Sequence, residues 1–214
     1  MAQVARPGAQ RWVPEGAGIG ELRSAVAGCR GCELWHDATQ AVFSSGSAHA
    51  RLMLVGEQPG DQEDRAGEPF VGPAGGVLAD AVEAAGIPRR DVYLTNAVKH
   101  FRFETRGKRR IHERPAVAHV EACHPWLAAE LREVRPEVIV CLGATAARSV
   151  LGRSVTIGTV RGALLEERVG GAGVLVTTHP SALLRLRDRG DYDAAFSELV
   201  GDLVTASAAP SRPR

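Results

Sequence analysis

The sequence predicts an α/β protein: a three-layer α/β/α sandwich around a central, mainly parallel, four-stranded sheet. Two observations carry this expectation. Four short runs, at 51–55, 92–95, 138–142 and 174–177, are apolar through almost their whole length instead of alternating, as strands covered on both faces are. The stretches between and after them carry helical patterns at about 74–86, 114–134, 143–151 and 193–205, and helical crossovers between buried strands impose parallel order.

With 214 residues, 44% of them hydrophobic, the chain is long enough to bury a full core, and one domain is expected over 18–205. The flanks 1–17 and 206–214 are rich in Pro, Gly, Ala and Ser without periodicity and read as flexible termini. No internal repeat is visible. No run of about 18 apolar residues exists to cross a bilayer, and the N-terminus lacks the apolar stretch of a signal peptide. The expectation is a cytoplasmic, monomeric protein with no membrane partner.

A net charge of +1 hides an uneven distribution. Lys99, Arg102, Arg106, Lys108, Arg109, Arg110 and Arg114 form one dense basic block, opposed only by Glu104 and Glu113. A smaller group, Arg185, Arg187 and Arg189, follows the turn His179-Pro180-Ser181. A charge run is ordinarily a solvated face. Each of these runs lies beside a histidine, however, and Lys108-Arg109-Arg110-Ile111-His112 sets one imidazole within the most cationic segment. A cationic loop attracts phosphate, which points to chemistry on nucleic acid.

In a doubly covered parallel sheet, ligands bind beyond the carboxyl ends of the strands. Gly56-Glu57-Gln58-Pro59-Gly60 follows the first strand, Asn96 ends the second, Gly143-Ala144-Thr145 follows the third and His179-Pro180-Ser181 the fourth. These define one crevice. Glu57 offers it a carboxylate, with a solvated turn glutamate as the plainer reading. Phe70, between Pro69 and Gly72, is either a core plug or a stacking surface for a base. Asn96 carries a donor and an acceptor on one planar amide, suited to a pyrimidine edge, although a strand-end Asn is more often a turn former. His179 precedes a proline and is held in extended geometry.

Four cysteines without a secretion signal favour a metal or cluster site over disulfides. Cys29 and Cys32 are spaced as a ligand pair and precede the first strand, unlike a thioredoxin-type motif. Cys123 is a third thiol, and Cys141, inside an apolar strand, reads as core. The fourth ligand could be His100, His119, His124, His36 or Cys141, and spacing does not separate zinc from a [4Fe-4S] cluster.

Five ordered segments, Gly56–Gly60, the loop 69–75, Thr95-Asn96-Ala97-Val98-Lys99-His100, Lys108–His112 and His179-Pro180-Ser181, resemble the uracil-DNA glycosylase superfamily, and within it the iron-sulfur UdgX type. The resemblance runs from about Cys29 to Leu184. It implies uracil-containing DNA as partner, with single strands preferred and free uracil as product. The base would be flipped into the crevice, stacked on Phe70, read by Asn96 with Gln58, and supported at its developing negative charge by His179. It further implies that His112 bonds covalently to C1′ of the sugar, oriented by Glu57, with Gln58 and Asp61 ordering the turn. Lys108, Arg109, Arg110, Ser181 and Arg185 would hold DNA. Related iron-sulfur members supply four cysteines; here His100 stands at the third ligand position, giving Cys29, Cys32, His100 and Cys123 around [4Fe-4S]. Two other functions fit the same residues: a conventional glycosylase that uses water and turns over, and a non-catalytic iron-sulfur module that grips nucleic acid.

Overall fold

The computed structural model describes residues 6–210. A six-stranded sheet in the order β1-β3-β2-β6-β8-β7 forms its centre. The inner strands β2 (Leu52–Gly56), β3 (Val92–Asn96), β6 (Val138–Leu142) and β8 (Ala172–Thr177) are the four expected from sequence, and all are parallel. Helices α3 (Pro73–Ala84), α4 (Val117–Val134), α5 (Ala144–Leu151) and α7 (Arg189–Ser207) cover the two faces. Leu54, Val140, Leu142 and Leu175 pack toward α3 and α7, while Met53, Val55, Ile139, Cys141 and Val176 face α4 and α5. Each such side chain contributes about 1.5–3 kcal/mol on burial. Cys141 is fully buried among them, as its strand setting implies.

Two antiparallel edge strands widen the sheet beyond the four expected. β1 (Ser44–Gly46) pairs with β3, and β7 (Leu164–Val169) pairs with β8. β7 is charged and mostly exposed, which blunts an edge against pairing with another chain and also hides it from a hydrophobicity reading. Its signal was Gly170-Gly171, a two-residue hairpin turn with positive φ at both positions.

Helix bounds moved for local reasons. α4 begins at Val117 because Arg114 precedes Pro115 and is therefore kept extended. α7 begins at Arg189, since the Asp188 carboxylate accepts the Asp191 N–H at 3.1 Å and caps it. Within 6–17 the chain is not free as expected. Ala9 is fully buried, and the Gly8 N–H donates to the Gly31 carbonyl at 3.0 Å, so this segment packs beside the first cysteine pair. At the other end the last helix continues to Ser207 with Ala206 buried; positions 1–5 and 211–214 lie outside the described residues. Among the described residues no helix is long and apolar enough to cross a membrane.

Two short helices, α1 (Ile19–Val26) and α2 (Asp61–Ala66), and a hairpin of β4 (Phe103–Arg106) and β5 (Arg109–His112) complete the frame around the strand ends. The hairpin is a separate two-stranded sheet. Its turn is Gly107-Lys108, with Gly107 at φ 60°. Lys108 therefore sits at the tip, while His112 lies at the base of the hairpin, opposite Phe103.

Candidate active site

A cavity of about 830 Å³ opens at the carboxyl ends of β2, β3, β6 and β8, as the strand-end rule anticipates. Its lining includes Glu57, Gln58, Phe70, Asn96, His112, Thr145, His179 and Ser181. The parallel register sets Gly56 beside Asn96, and a Cβ on Gly56 would lie 2.3 Å from Asn96 Oδ1 and 2.7 Å from Phe70 Cζ. Only glycine lets the planar amide and the ring share this corner. Phe70 itself has φ 59°, rare for a non-glycine residue. Its carbonyl presses so closely on α3 that a Cβ on Gly75 would sit 1.8 Å away. Glu63 fastens the two loops from below, accepting the Gly60 N–H at 3.0 Å and the Gly72 N–H at 2.7 Å.

His179 Nδ1 accepts the Ser181 N–H at 3.2 Å and pairs with the Ser181 hydroxyl at 2.9 Å. That leaves the ring proton on Nε2, the side a ligand would meet. Burial drives its pKa down to about 4; Glu57 opposes this, and His112 and Arg185 add to it. At neutral pH His179 is an uncharged donor. Glu57 is fixed by its neighbours: the Val98 N–H donates to its carbonyl at 3.0 Å, and the Thr145 hydroxyl donates to its Oε2. Arg114 Nε donates to Thr145 Oγ1 at 3.1 Å and lies 3.6 Å from the same carboxylate oxygen. The other oxygen, Oε1, faces His112 Nε2 at 3.5 Å. This is an ion-pair distance that a small ring rotation would bring to hydrogen-bond length.

Gln58 and Arg110 hold the hairpin that carries His112. Gln58 donates from Nε2 to the carbonyls of Arg102 (3.0 Å) and Glu113 (3.1 Å), and accepts the Arg102 N–H at 3.1 Å. Its amide is thus spent on the two ends of the hairpin, which corrects the expectation that it reads a base edge. Arg110 pairs with Asp61 at 2.5 Å and with the fully buried Asp64 at 2.6 Å, beneath Phe101 and Phe103. Burial disfavours the Arg110 charge, but the carboxylates of Asp64 and Asp61 outweigh that and raise its pKa. Two expectations change with this geometry. Arg110 is a structural clasp, not a free phosphate ligand, because Asp61, Asp64 and Thr39 take its donors and the Phe101 and Phe103 rings lie over its guanidinium. Asp61 anchors the hairpin instead of ordering the Glu57 turn. Lys108 and Arg109 stay exposed on the hairpin, and Arg185 is exposed at the far rim beside Ser181.

Cys29, Cys32, Cys123 and His100 are all buried, and the three thiols share one cluster with Trp126. Trp126 Nε1–H donates to Cys29 Sγ at 3.2 Å and the Lys99 N–H to Cys123 Sγ at 3.3 Å. His100 follows Lys99 directly; burial lowers its pKa to about 4, leaving it neutral as a ligand must be. Burial pushes Cys32 up to about 11 and Cys123 to about 12, a cost that iron would remove by taking the thiolates. Among the described residues no three such side chains converge as a single ion requires. Three gathered thiols, two of them accepting N–H donors, are compatible with a cluster, which spreads its ligands over several irons. His119 is not a competing ligand: its Nδ1 accepts the Ala116 N–H at 3.0 Å and its Nε2 meets Glu33 at 2.8 Å.

Sequence reasoning gave no role to Glu63, Asp64 or Leu184, and named Thr145 only within a strand-end segment. Glu63 three residues after Gly60 is a capping-box spacing, which was the available signal. Leu184 is 48% exposed at the crevice rim between the buried Leu183 and Arg185; an apolar side chain presented to solvent among cations was the available signal. Lys99, counted in the basic block, is wholly buried.

An aromatic ring, a planar amide and an uncharged imidazole donor line this crevice, with exposed cations at its rim, the chemistry of proteins that handle a single nucleobase. The chain belongs to the uracil DNA glycosylase superfamily, whose family model matches residues 43–204. It is 39% identical to a type-4 uracil-DNA glycosylase of Thermotoga maritima over 76% of this chain and 81% of that protein. It is 36% identical to a type-4 uracil-DNA glycosylase of Archaeoglobus fulgidus over 83% and 89%. A type-5 uracil-DNA glycosylase of Pyrobaculum aerophilum is 32% identical over 75% of this chain and 74% of its own length.

Proposed function

We propose that this protein excises uracil from DNA and then captures the abasic sugar covalently through His112, as the UdgX type does. The observation that carries the capture is the pair His112 Nε2 and Glu57 Oε1, 3.5 Å apart in the strand-end crevice. Uracil, turned out of the stack, enters between Phe70 and Asn96. As the C1′–N1 bond breaks, its electron pair goes to uracil, and the neutral His179 donor stabilises the charge growing on the base oxygen. The sugar is left as an oxocarbenium-like cation. The ring nitrogen of His112 that carries no proton gives its lone pair to C1′, and the imidazolium so formed gives up the N–H proton of its other nitrogen to the Glu57 carboxylate. Thr145 and Arg114 occupy one oxygen of Glu57 and leave the other for the imidazole. The exposed Lys108, Arg109 and Arg185 and the half-buried Ser181 would meet the phosphate backbone. Cys29, Cys32, His100 and Cys123 would hold a [4Fe-4S] cluster, whose chemistry here is structural, tying α4 and the 96–100 segment together.

Incubation with uracil-containing single-stranded DNA is expected to give a protein–DNA adduct stable to heat and detergent, abolished by His112→Ser. Uracil release with no adduct would refute the capture. It would support the second reading, hydrolysis with turnover, which the likeness to type-4 and type-5 uracil-DNA glycosylases favours. Iron and sulfide in anaerobically purified protein test the cluster; zinc or no metal would overturn it.

A further inference from the structure

We infer that the buried ion pair Lys99–Glu130 is a positioning device for Asn96, fixing from behind the amide that reads the base; this rests on the proposed role of Asn96. Both side chains are 0% exposed, 2.5 Å apart. Lys99 Nζ spends its three donors on Glu130 Oε2, on Thr95 Oγ1 at 2.6 Å and on the Asn96 carbonyl at 3.1 Å. The second oxygen of Glu130 accepts the Thr95 hydroxyl at 2.7 Å and the Tyr93 hydroxyl at 3.0 Å. One carboxylate from α4 thus gathers Tyr93, Thr95 and, through the ammonium, Asn96. Three positions at the end of β3 are tied to a helix that also carries Cys123, whose sulfur accepts the N–H of the same Lys99.

Stability alone does not account for such a pair. Desolvating two charges costs about what their attraction returns, and apolar residues of similar volume often serve as well or better. What an apolar pair lacks is direction. The ammonium holds one carbonyl at one distance, and the Asn96 amide beyond it has little slack, packed so closely on Gly56 that a Cβ there would lie 2.3 Å from its Oδ1. A displacement of about 1 Å in such a group costs on the order of 10²-fold in rate.

The test uses the full chain and single-turnover release of uracil from a uracil-containing oligonucleotide, with melting temperature measured alongside. Lys99→Met combined with Glu130→Leu removes both charges and keeps the volume. The expected result is a melting temperature close to that of the parent and release at least about 10-fold slower, the loss falling on the maximal single-turnover rate, with the half-saturating protein concentration changed little. Tyr93→Phe, which deletes one donor to Glu130 and keeps the ring, is expected to slow release several-fold with the half-saturating concentration unchanged, and it serves if the double variant does not fold. Asn96→Ala is measured in parallel. If it impairs release while Tyr93→Phe and the double variant release uracil at the parental rate per folded molecule, the positioning role is refuted. If Asn96→Ala itself is without effect, the reading of Asn96 fails and the inference falls with it.

Discussion

Replacing Gln58 with Ala should separate base excision from sugar capture. The side chain is nearly buried and makes three hydrogen bonds, all to the main chain at the two ends of the His112 hairpin. Each is worth about 1 kcal/mol net, and the Arg102 N–H and two carbonyls lose their partner together, so about 2–4 kcal/mol of attachment is lost. For a chain of this size that amounts to a fall in melting temperature of roughly 4–16 °C. The Arg110 clasp on Asp61 and Asp64 remains, so the hairpin loosens at its base while its strands stay paired. A loss of 2 kcal/mol in holding His112 near Glu57 lowers the capture-competent population about 30-fold. Asn96, Phe70 and His179 are mounted on the main sheet and its loops, and uracil release should slow far less. Quenched-flow sampling that scores free uracil and protein–DNA adduct on the same aliquots gives both rates. Equal slowing of the two, or a variant with unchanged melting temperature and adduct yield, would refute the idea that Gln58 clasps the hairpin.

Three further outcomes are expected. Gly56→Ala drives a Cβ against Asn96 and Phe70 and should cut uracil release by about 10²-fold with only a modest loss of thermal stability, read by single-turnover kinetics and melting. His179 is held neutral, its pKa depressed from 6.5 to about 4 by burial; a lowered histidine pKa means the unfolded chain binds the extra proton first. Its contribution to stability is therefore complete above pH 6.5 and lost as pH falls toward 4, a slope in melting temperature that His179→Gln should flatten. Lys108→Ala and Arg109→Ala should each weaken DNA binding and lower the magnitude of the log K against log salt slope by about 1. Arg110→Ala should leave that slope unchanged and lower the melting temperature instead, as titrations at several salt concentrations would show.

The four inner strands were legible because burial on both faces leaves no polar residue in the pattern; Val138–Leu142 is apolar at every position. The strand-end placement of Glu57, Asn96 and His179 followed from that sheet. β1 and β7 were not legible, since a short or charged edge strand has no buried face to mark it. The basic block misled by uniformity: Lys99, Arg110 and Lys108 look alike in sequence, yet one is sealed under the sheet, one is locked between two carboxylates and one is at a hairpin tip. What separates them is the partner across space. Asp64 and Glu130 are distant along the chain and carry nothing locally to announce the pairing. Gln58 shows the same limit, since an amide next to a crevice glutamate reads as part of the site until its hydrogen bonds are seen to end on main chain.

The β4–β5 hairpin shares no ladder with the six-stranded sheet and is joined to it through a few side-chain contacts at its base. Substitutions at its exposed tip, away from Arg110, therefore leave the core untouched. Under the proposed function, the frame that removes the base and the appendage that would hold the sugar can change independently, so a lineage of such proteins could exchange repair by release for repair by retention through a segment of about ten residues. It also gives the engineer a detachable module: the reach and sequence of the hairpin can be varied while the base pocket is left as it is.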